Sequence, residues 1–463
     1  MLTIPDPEHT SGGETQVKIT DLDSDKVTRR STRRFQMPSF RTRAFMNLAI
    51  ILGIALLSAV VLVSVLHVPK AARITLPPIH FNYPVSLSVV DGICYTTAPN
   101  GVVTAVRVAD GSLLWRHASR KASEESVTVV DGIAFLAPLV PPGSNDPSVT
   151  IDALRASNGS PLWSRTLPTH SPESFQFTIA NGIVYVESEA DTINALRASD
   201  GSSLWHYISR SSIVSLLSLA DGVVYVGTQD GHLSALRASD GFPLWTHTLE
   251  TPSPLSPIVV DGSLYLSLQD GGLEVLRADT GALLWRYRPN IPALQLYPLP
   301  LVMNGDVYVL TQDGHIYAMR SSNGFIAWRV TLQSTNFLPP MFGTGGVVYV
   351  GAVDGNIDAI RASDGSMIWH HQGENEGSAS IMIAQGVIYL AFYASSGVNN
   401  ITSIVTLRAS DGRVLWKYTP HVPARQLSPV EAEGLVLISM QDGSINALSA
   451  SSGVLRWHRT ENS

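Results

Sequence analysis

Cysteine is almost missing from this chain: Cys94 is the only one in 463 residues. A lone thiol excludes an intrachain disulfide and any CxxC or Cys/His metal framework. The patterns CxxCH, HExxH, GxSxG and the P-loop are also missing, so haem attachment, zincin, serine-hydrolase and nucleotide-phosphate chemistry have no footing in the sequence. Charged residues are only 15% of the chain against 44% hydrophobic ones, a balance that excludes disorder as the general state. Long apolar runs are missing too, except for one at residues 44–68. Turn formers are plentiful, with 36 Gly and 28 Pro, as a chain with many tight reversals requires.

The net charge of −7 is unevenly distributed. Residues 1–25 carry six acids against Lys18, and residues 26–43 carry Lys26, Arg29, Arg30, Arg33, Arg34, Arg41 and Arg43 with no acid. Beyond residue 43 there are 23 basic and 32 acidic residues. That acidic balance argues against a nucleic-acid partner, because phosphate neutralisation needs Lys and Arg. The run 44–68 has 25 residues without a formal charge, enough at about 1.5 Å per residue to span a hydrocarbon core of about 30 Å. It starts too late and runs too long for a cleaved signal peptide, so it reads as a transmembrane helix of the signal-anchor kind. Seven cations precede it, while only Lys70 and Arg73 closely follow. The positive-inside rule then places residues 1–43 in the cytoplasm, as a disordered tail, and the C-terminal part outside. The resulting organisation is a tail at 1–43, a span through the lipid bilayer at 44–68, a linker at 69–80 and a repeat region at 81–460. The chain is expected in the cell membrane as a single-pass protein.

The repeat is carried by its tryptophans. All nine, Trp115, Trp163, Trp205, Trp245, Trp285, Trp328, Trp369, Trp416 and Trp457, hold the same place in one unit, at spacings of 48, 42, 40, 40, 43, 41, 47 and 41. In the fourth unit four short apolar runs, 213–219, 223–228, 233–238 and 244–249, are separated mostly by Asp-Gly pairs. Runs of that length, rich in Val, Ile, Leu and Tyr, are strands, and Asp-Gly supplies the positive φ angles of tight hairpins. Four antiparallel strands in about 40 residues is the period of a propeller blade. The fold class is therefore all-β, a β-propeller of eight or nine four-stranded blades preceded by one transmembrane helix.

The unit, with its Gly-x-[Leu/Ile]-x-Ala-Leu-x-Ala-x-[Asp/Thr]-Gly-x-x-Leu-Trp pattern, resembles the pyrroloquinoline-quinone (PQQ) enzyme repeat. Eight-bladed propellers of quinoprotein dehydrogenases and of BamB-type outer-membrane assembly lipoproteins are built from it. The resemblance covers roughly residues 80–460 and implies that each Trp docks one blade on the next. Nine units stand where that family usually has eight blades, so either the ring has nine or one terminal unit is peripheral. One departure is systematic: Arg107, Arg155, Arg197, Arg237, Arg277, Arg320, Arg361 and Arg408 follow the Ala-Leu pair or its apolar equivalent, with Ser449 last. The expectation for them is structural, by cation–π stacking or by pairing with turn aspartates.

The resemblance also implies an adjacent Cys-Cys pair, a calcium site and an Asp base for the enzymes. Cys94 stands alone, so the expectation is no catalytic residue, no metal and no cofactor, with a PQQ-dependent dehydrogenase as the alternative. A sensor signalling through the tail is a third reading. The recurring Asp-Gly aspartates are explained by turn chemistry. His117, His206, His247, His370, His371 and His458 follow the tryptophans and are expected to face solvent. What differs between units is the set of loops at 119–125, 141–148, 168–175, 373–377, 394–400 and 420–426. These share one rim, which is the expected surface for a protein or cell-envelope partner. The chain therefore reads as a non-catalytic binding or scaffolding module.

Overall fold

A computed structural model describes residues 87–460, apart from 99–100, 119–124, 139–147, 169–176, 189–190, 214–217, 252–256, 269, 289–298, 312, 333–336, 353–354, 374–378, 394–400, 422–428 and 441. The tail, the apolar segment at 44–68 and the linker lie outside the described residues. Among the described residues no helix is long and apolar enough to cross a membrane.

Nine separate four-stranded antiparallel sheets follow one another along the chain, each in simple meander order. Blade 1 shows the pattern, with strands Leu87–Val90, Ile93–Thr97, Val102–Arg107 and Leu113–Ala118. The other blades span 125–168, 177–208, 218–248, 258–287, 301–331, 337–371, 379–418 and 430–459. First strands of adjacent blades touch: Leu87–Val90 meets both Glu125–Val130 and Val430–Ala432. They therefore surround the axis, and the fourth strands form the outer circumference. This settles the blade count. The ninth sheet sits in the ring against the first, and an eight-bladed ring with a peripheral unit is ruled out.

The hairpin from first to second strand is a two-residue turn with both φ angles positive, as at Asp221 (49°) and Gly222 (76°), which is the type I′ geometry that suits twisted strands. In the fourth blade the first strand is shorter than the apolar run suggests. It covers Ser218–Ala220, while Ile213 makes only an isolated bridge to Thr228. The third and fourth strands are offset by a bulge at the same place in every blade, for example between Ala235 and Leu236. This register puts Trp245 opposite Ala235, whose small side chain leaves room for the indole.

There is no single core. Nine apolar clusters each straddle two neighbouring blades; one joins Tyr225, Leu233 and Ala235 of blade 4 to Leu264, Leu266 and Leu276 of blade 5. The cluster that closes the ring joins Cys94 and Val106 of blade 1 to Leu437 and Ala447 of blade 9. Second and third strands are thus buried on both faces. Their consecutive apolar residues reflect two neighbours, where a half-exposed sheet would show alternation.

Candidate functional site: the blade junctions and the varied rim

Each tryptophan lies at its own junction, and no two converge on one place. The indole N–H of Trp245 donates to the carbonyl of Ala278 in the next blade at 3.0 Å, and Trp115 donates likewise to Ala156 at 2.7 Å. Trp163, Trp205, Trp285, Trp328, Trp369 and Trp416 bond the equivalent carbonyl of the blade that follows each. Trp457 closes the circle on Val108 of blade 1 at 2.9 Å. The indole faces lie on the glycine that ends the next blade's outer turn. A Cβ on Gly281 would stand 2.5 Å from Trp245, and its φ is +67°, so glycine is required there twice over.

A tyrosine of the second strand completes the joint, and sequence reasoning missed it. Tyr225 packs 5.9 Å from Trp245 and donates its hydroxyl to the same Ala278 carbonyl at 3.2 Å. Tyr185, Tyr308 and Tyr349 do the same beside Trp205, Trp328 and Trp369. One carbonyl with two lone pairs thus receives two donors. The recurrence of Tyr ten residues before the Ala-Leu pair was the available signal.

Six of the eight repeated arginines, Arg107, Arg197, Arg237, Arg320, Arg361 and Arg408, pair with acids. Arg237 reaches Asp240 at 2.8 Å and Arg408 reaches Asp411 at 3.0 Å. Arg320 instead bonds Asp306 at 2.9 Å, and Arg237 also lies 5.2 Å over the Phe242 ring. The turn aspartates accept a backbone N–H two residues on, as Asp240 does from Phe242 at 3.0 Å.

Of the histidines expected in solvent, His206, His370 and His458 are exposed and His117, His247 and His371 are half-buried; three of them also contact polar side chains. His370 contacts Asp358 and His458 contacts Asn446, both at 2.6 Å. His247 crosses a junction to Glu274, also at 2.6 Å. Glu274 is wholly buried and additionally takes two bonds from Arg286, at 3.1 and 2.7 Å. Arg286 and Arg288 both reach Glu250. At the corresponding place in the next junction Arg329 lies 5.9 Å over Tyr317. Polar contacts that differ from blade to blade therefore lie outside the apolar clusters.

The two faces of the ring differ in kind. First-to-second and third-to-fourth turns share one face and are near copies. The other face carries the connections between blades, which vary from 332–336 after blade 6 to 288–300 after blade 5. Most of the loops on which the sequence places a partner surface lie outside the described residues. On that face the second-to-third turns of blades 4 and 6 repeat, with Gly231 and Gly314 closing onto Thr228 and Thr311, while the connections of blades 2 and 8, 139–147 and 394–400, are longer.

Cys94 lies fully buried in the ring-closing cluster, with its thiol pushed upward by burial, and there is no second cysteine beside it. Among the described residues no group of three or more His, Cys, Asp or Glu is placed to hold a metal. These residues do not form the adjacent-cysteine platform or the acidic calcium site of the quinoprotein enzymes.

The family model described as outer membrane protein assembly factor BamB matches residues 147–293, 292–399 and 392–463. No curated protein matches. Among solved structures, BamB from Moraxella catarrhalis is 16% identical with a TM-score of 0.47, covering 62% of this chain and 87% of that one. The computationally designed Ika8 protein is 18% identical with a TM-score of 0.48, over 66% and 91%. A europium-containing methanol dehydrogenase is 13% identical with a TM-score of 0.44, over 72% and 77%.

Proposed function

Because the chain belongs to the family of outer membrane protein assembly factor BamB, we propose that it is a membrane-tethered, extracytoplasmic β-propeller that binds a protein or cell-envelope partner without catalysing a reaction. The observation that carries this reading is the contrast between the two faces. One joint is repeated nine times to make a rigid ring, and the inter-blade connections of one face vary upon it. A stiff frame presenting variable loops is how binding sites are usually built. The tether rests on the uncharged run at 44–68 and on the cations before it.

Two experiments test the reading. Replacing 289–298 and 422–428 with short Gly/Ser connections in the full-length protein should abolish capture of its envelope partner and leave thermal unfolding unchanged. Capture that survives both replacements would remove the varied face from consideration. A reporter active only outside the cytoplasm should work when fused after Ser463 and fail before Met1, and the opposite pattern would refute the orientation. The quinoprotein alternative is checked directly, by adding PQQ with calcium and looking for alcohol- or sugar-driven dye reduction. Turnover there would overturn the non-catalytic reading.

A further inference from the structure

Glu187 is the last residue of the second strand of blade 3, Ile183–Glu187, which runs toward the varied face. Of the nine equivalent positions it is the one that carries a charge. Across the sheet it pairs with Ile193, and Ile193 belongs to the apolar cluster that blades 3 and 4 share. Cross-strand partners lie on one face of a sheet, so Glu187 is turned into the seam between these blades, at its varied-face end. It is half-buried there and keeps an opening to solvent.

The surroundings are apolar or already engaged. Ile193, Ile213, Leu219 and Val226 are buried in the shared cluster. The Tyr185 hydroxyl donates to the Ala238 carbonyl at 3.2 Å, and the Thr228 hydroxyl of blade 4 donates to Asp230 at 2.5 Å. Among the described residues, Tyr207 and His232, the latter beside Asp230, are also turned toward this seam. Arg197 stands at its opposite end, bonded to Asp200 at 3.4 Å, while Asp191 and Arg210 lie in the turn and the connection beyond the strands of blade 3. Burial raises the Glu187 carboxyl to about 7 and is the sole cause, so none of these groups compensates the ionised form. A carboxylate desolvated without a compensating partner is costly.

We propose that Glu187 anchors a cationic side chain, a lysine or arginine that a protein partner inserts between blades 3 and 4 from the varied face. The carboxylate would pair with the ammonium or guanidinium, and Ile193, Ile213 and Val226 would line the methylene stem, as suits a side chain with an apolar stem and a charged head. The charge decides the occupant, because a cation supplies what the seam lacks and an ion pair is stronger in a partly desolvated site than at the open surface. A metal ion would need further ligands, and among the described residues no such group exists. The excess of 32 acids over 23 bases beyond residue 43 also favours the approach of a basic partner. The proposal rests on the varied face being the binding surface and names the chemistry of one contact upon it.

The test uses the full-length chain in detergent and two labelled nonapeptides, identical except for a central lysine in one and norleucine in the other. At pH 8 the lysine peptide should bind at least tenfold tighter than the norleucine peptide. Its affinity should fall about tenfold from pH 8 to pH 6, because a carboxyl titrating at about 7 goes from about nine-tenths to about one-tenth ionised. The norleucine peptide should show no such dependence. Glu187→Gln should remove both the preference and the pH dependence without lowering the melting temperature. Asp270→Asn, at an exposed acid in a second-to-third turn of the same face, should leave both intact. His232→Gln should keep the pH profile, which matters because a protonated His232 would also repel the lysine at low pH. Equal binding of the two peptides, no binding of either, a preference that survives Glu187→Gln, or a pH profile that is flat or vanishes with His232→Gln would each overturn the proposal. Any of these results alongside loss of partner capture on replacing 289–298 and 422–428 would overturn it alone and leave the varied face as the binding surface.

Discussion

Glu187 ends the second strand of blade 3 at a position filled elsewhere by Thr97, Ala137, Gly227, Ser267, Leu310, Gly351, Ala391 and Ser439. It is the one charge in that set, two residues beyond the tyrosine that faces blade 4. Burial pushes its carboxyl up from the ordinary 4.5 to about 7, because the ionised form loses water there. A raised folded-state value in an acid means that the fold prefers the protonated form. The associated stability is present below pH 4.5, declines through the window from 4.5 to about 7 and is gone above it. Glu187→Gln should therefore unfold at a higher temperature than the parent above pH 7, with the advantage shrinking toward pH 4.5. Melting curves taken across that range check the sign, and a substitution that destabilises the protein at pH 8 would show that the carboxylate has a favourable ionic partner.

At the scale of the element, the hairpins show how far local chemistry reaches. Six of the nine first-to-second turns use Asp or Asn before Gly, and Gly345-Gly346 serves in blade 7. Blades 8 and 9 make the same reversal with Gln385 and Glu433 at φ of 48° and 52°, a region costly for longer side chains. Tertiary packing of the strands on both sides holds these two residues in place. Gln385→Asn, which suits that conformation, should raise stability by about 0.5–1 kcal/mol, measurable as a shift in denaturant midpoint at unchanged slope. The bulge that seats the indoles opposite alanine in seven blades, and opposite Val275 and Thr406 in blades 5 and 8, was not legible in sequence, since a register shift leaves no mark in an apolar pattern. The polar contact between blades 4 and 5 escaped notice for a related reason: Glu274 and His247 are 27 residues apart and meet only because neighbouring blades stack.

For the whole molecule, the consequence of nine equivalent junctions is that no blade is terminal in space. Trp457 makes the same bond to blade 1 that Trp245 makes to blade 5, and Arg459 adds a bond to the Gly111 carbonyl at 2.9 Å. A tryptophan of this kind buries about 150–250 Å², worth up to about 4–6 kcal/mol of gross transfer energy. Trp245→Ala and Trp457→Ala should each cost about 3–5 kcal/mol in denaturant unfolding. A cost at residue 457 several-fold smaller than at 245 would mean that the ring is open between blades 9 and 1. Wrapping the last strand's indole onto the first blade also ties the C-terminal end of the array to its beginning, so cooperativity should extend around the circle.

By itself the sequence determined the unit: four strands, Asp-Gly turns, a Trp at one fixed place and the membership in a propeller class, all of which depend on residues close together in the chain. The tail, the apolar segment and the charge rule at its flank are likewise local and remain expectations of the sequence alone. The number of blades was decided only in three dimensions. Every unit can dock on a following one, and nothing local to Trp457 says whether its acceptor is Val108 or solvent. Ring closure depends on the summed rotation of all nine junctions, a property that no single repeat encodes. The tyrosines that share a tryptophan's acceptor and the contact of His247 with Glu274 belong to the same class. They arise where separate repeats meet, and their chemistry is set by stacking, not by spacing.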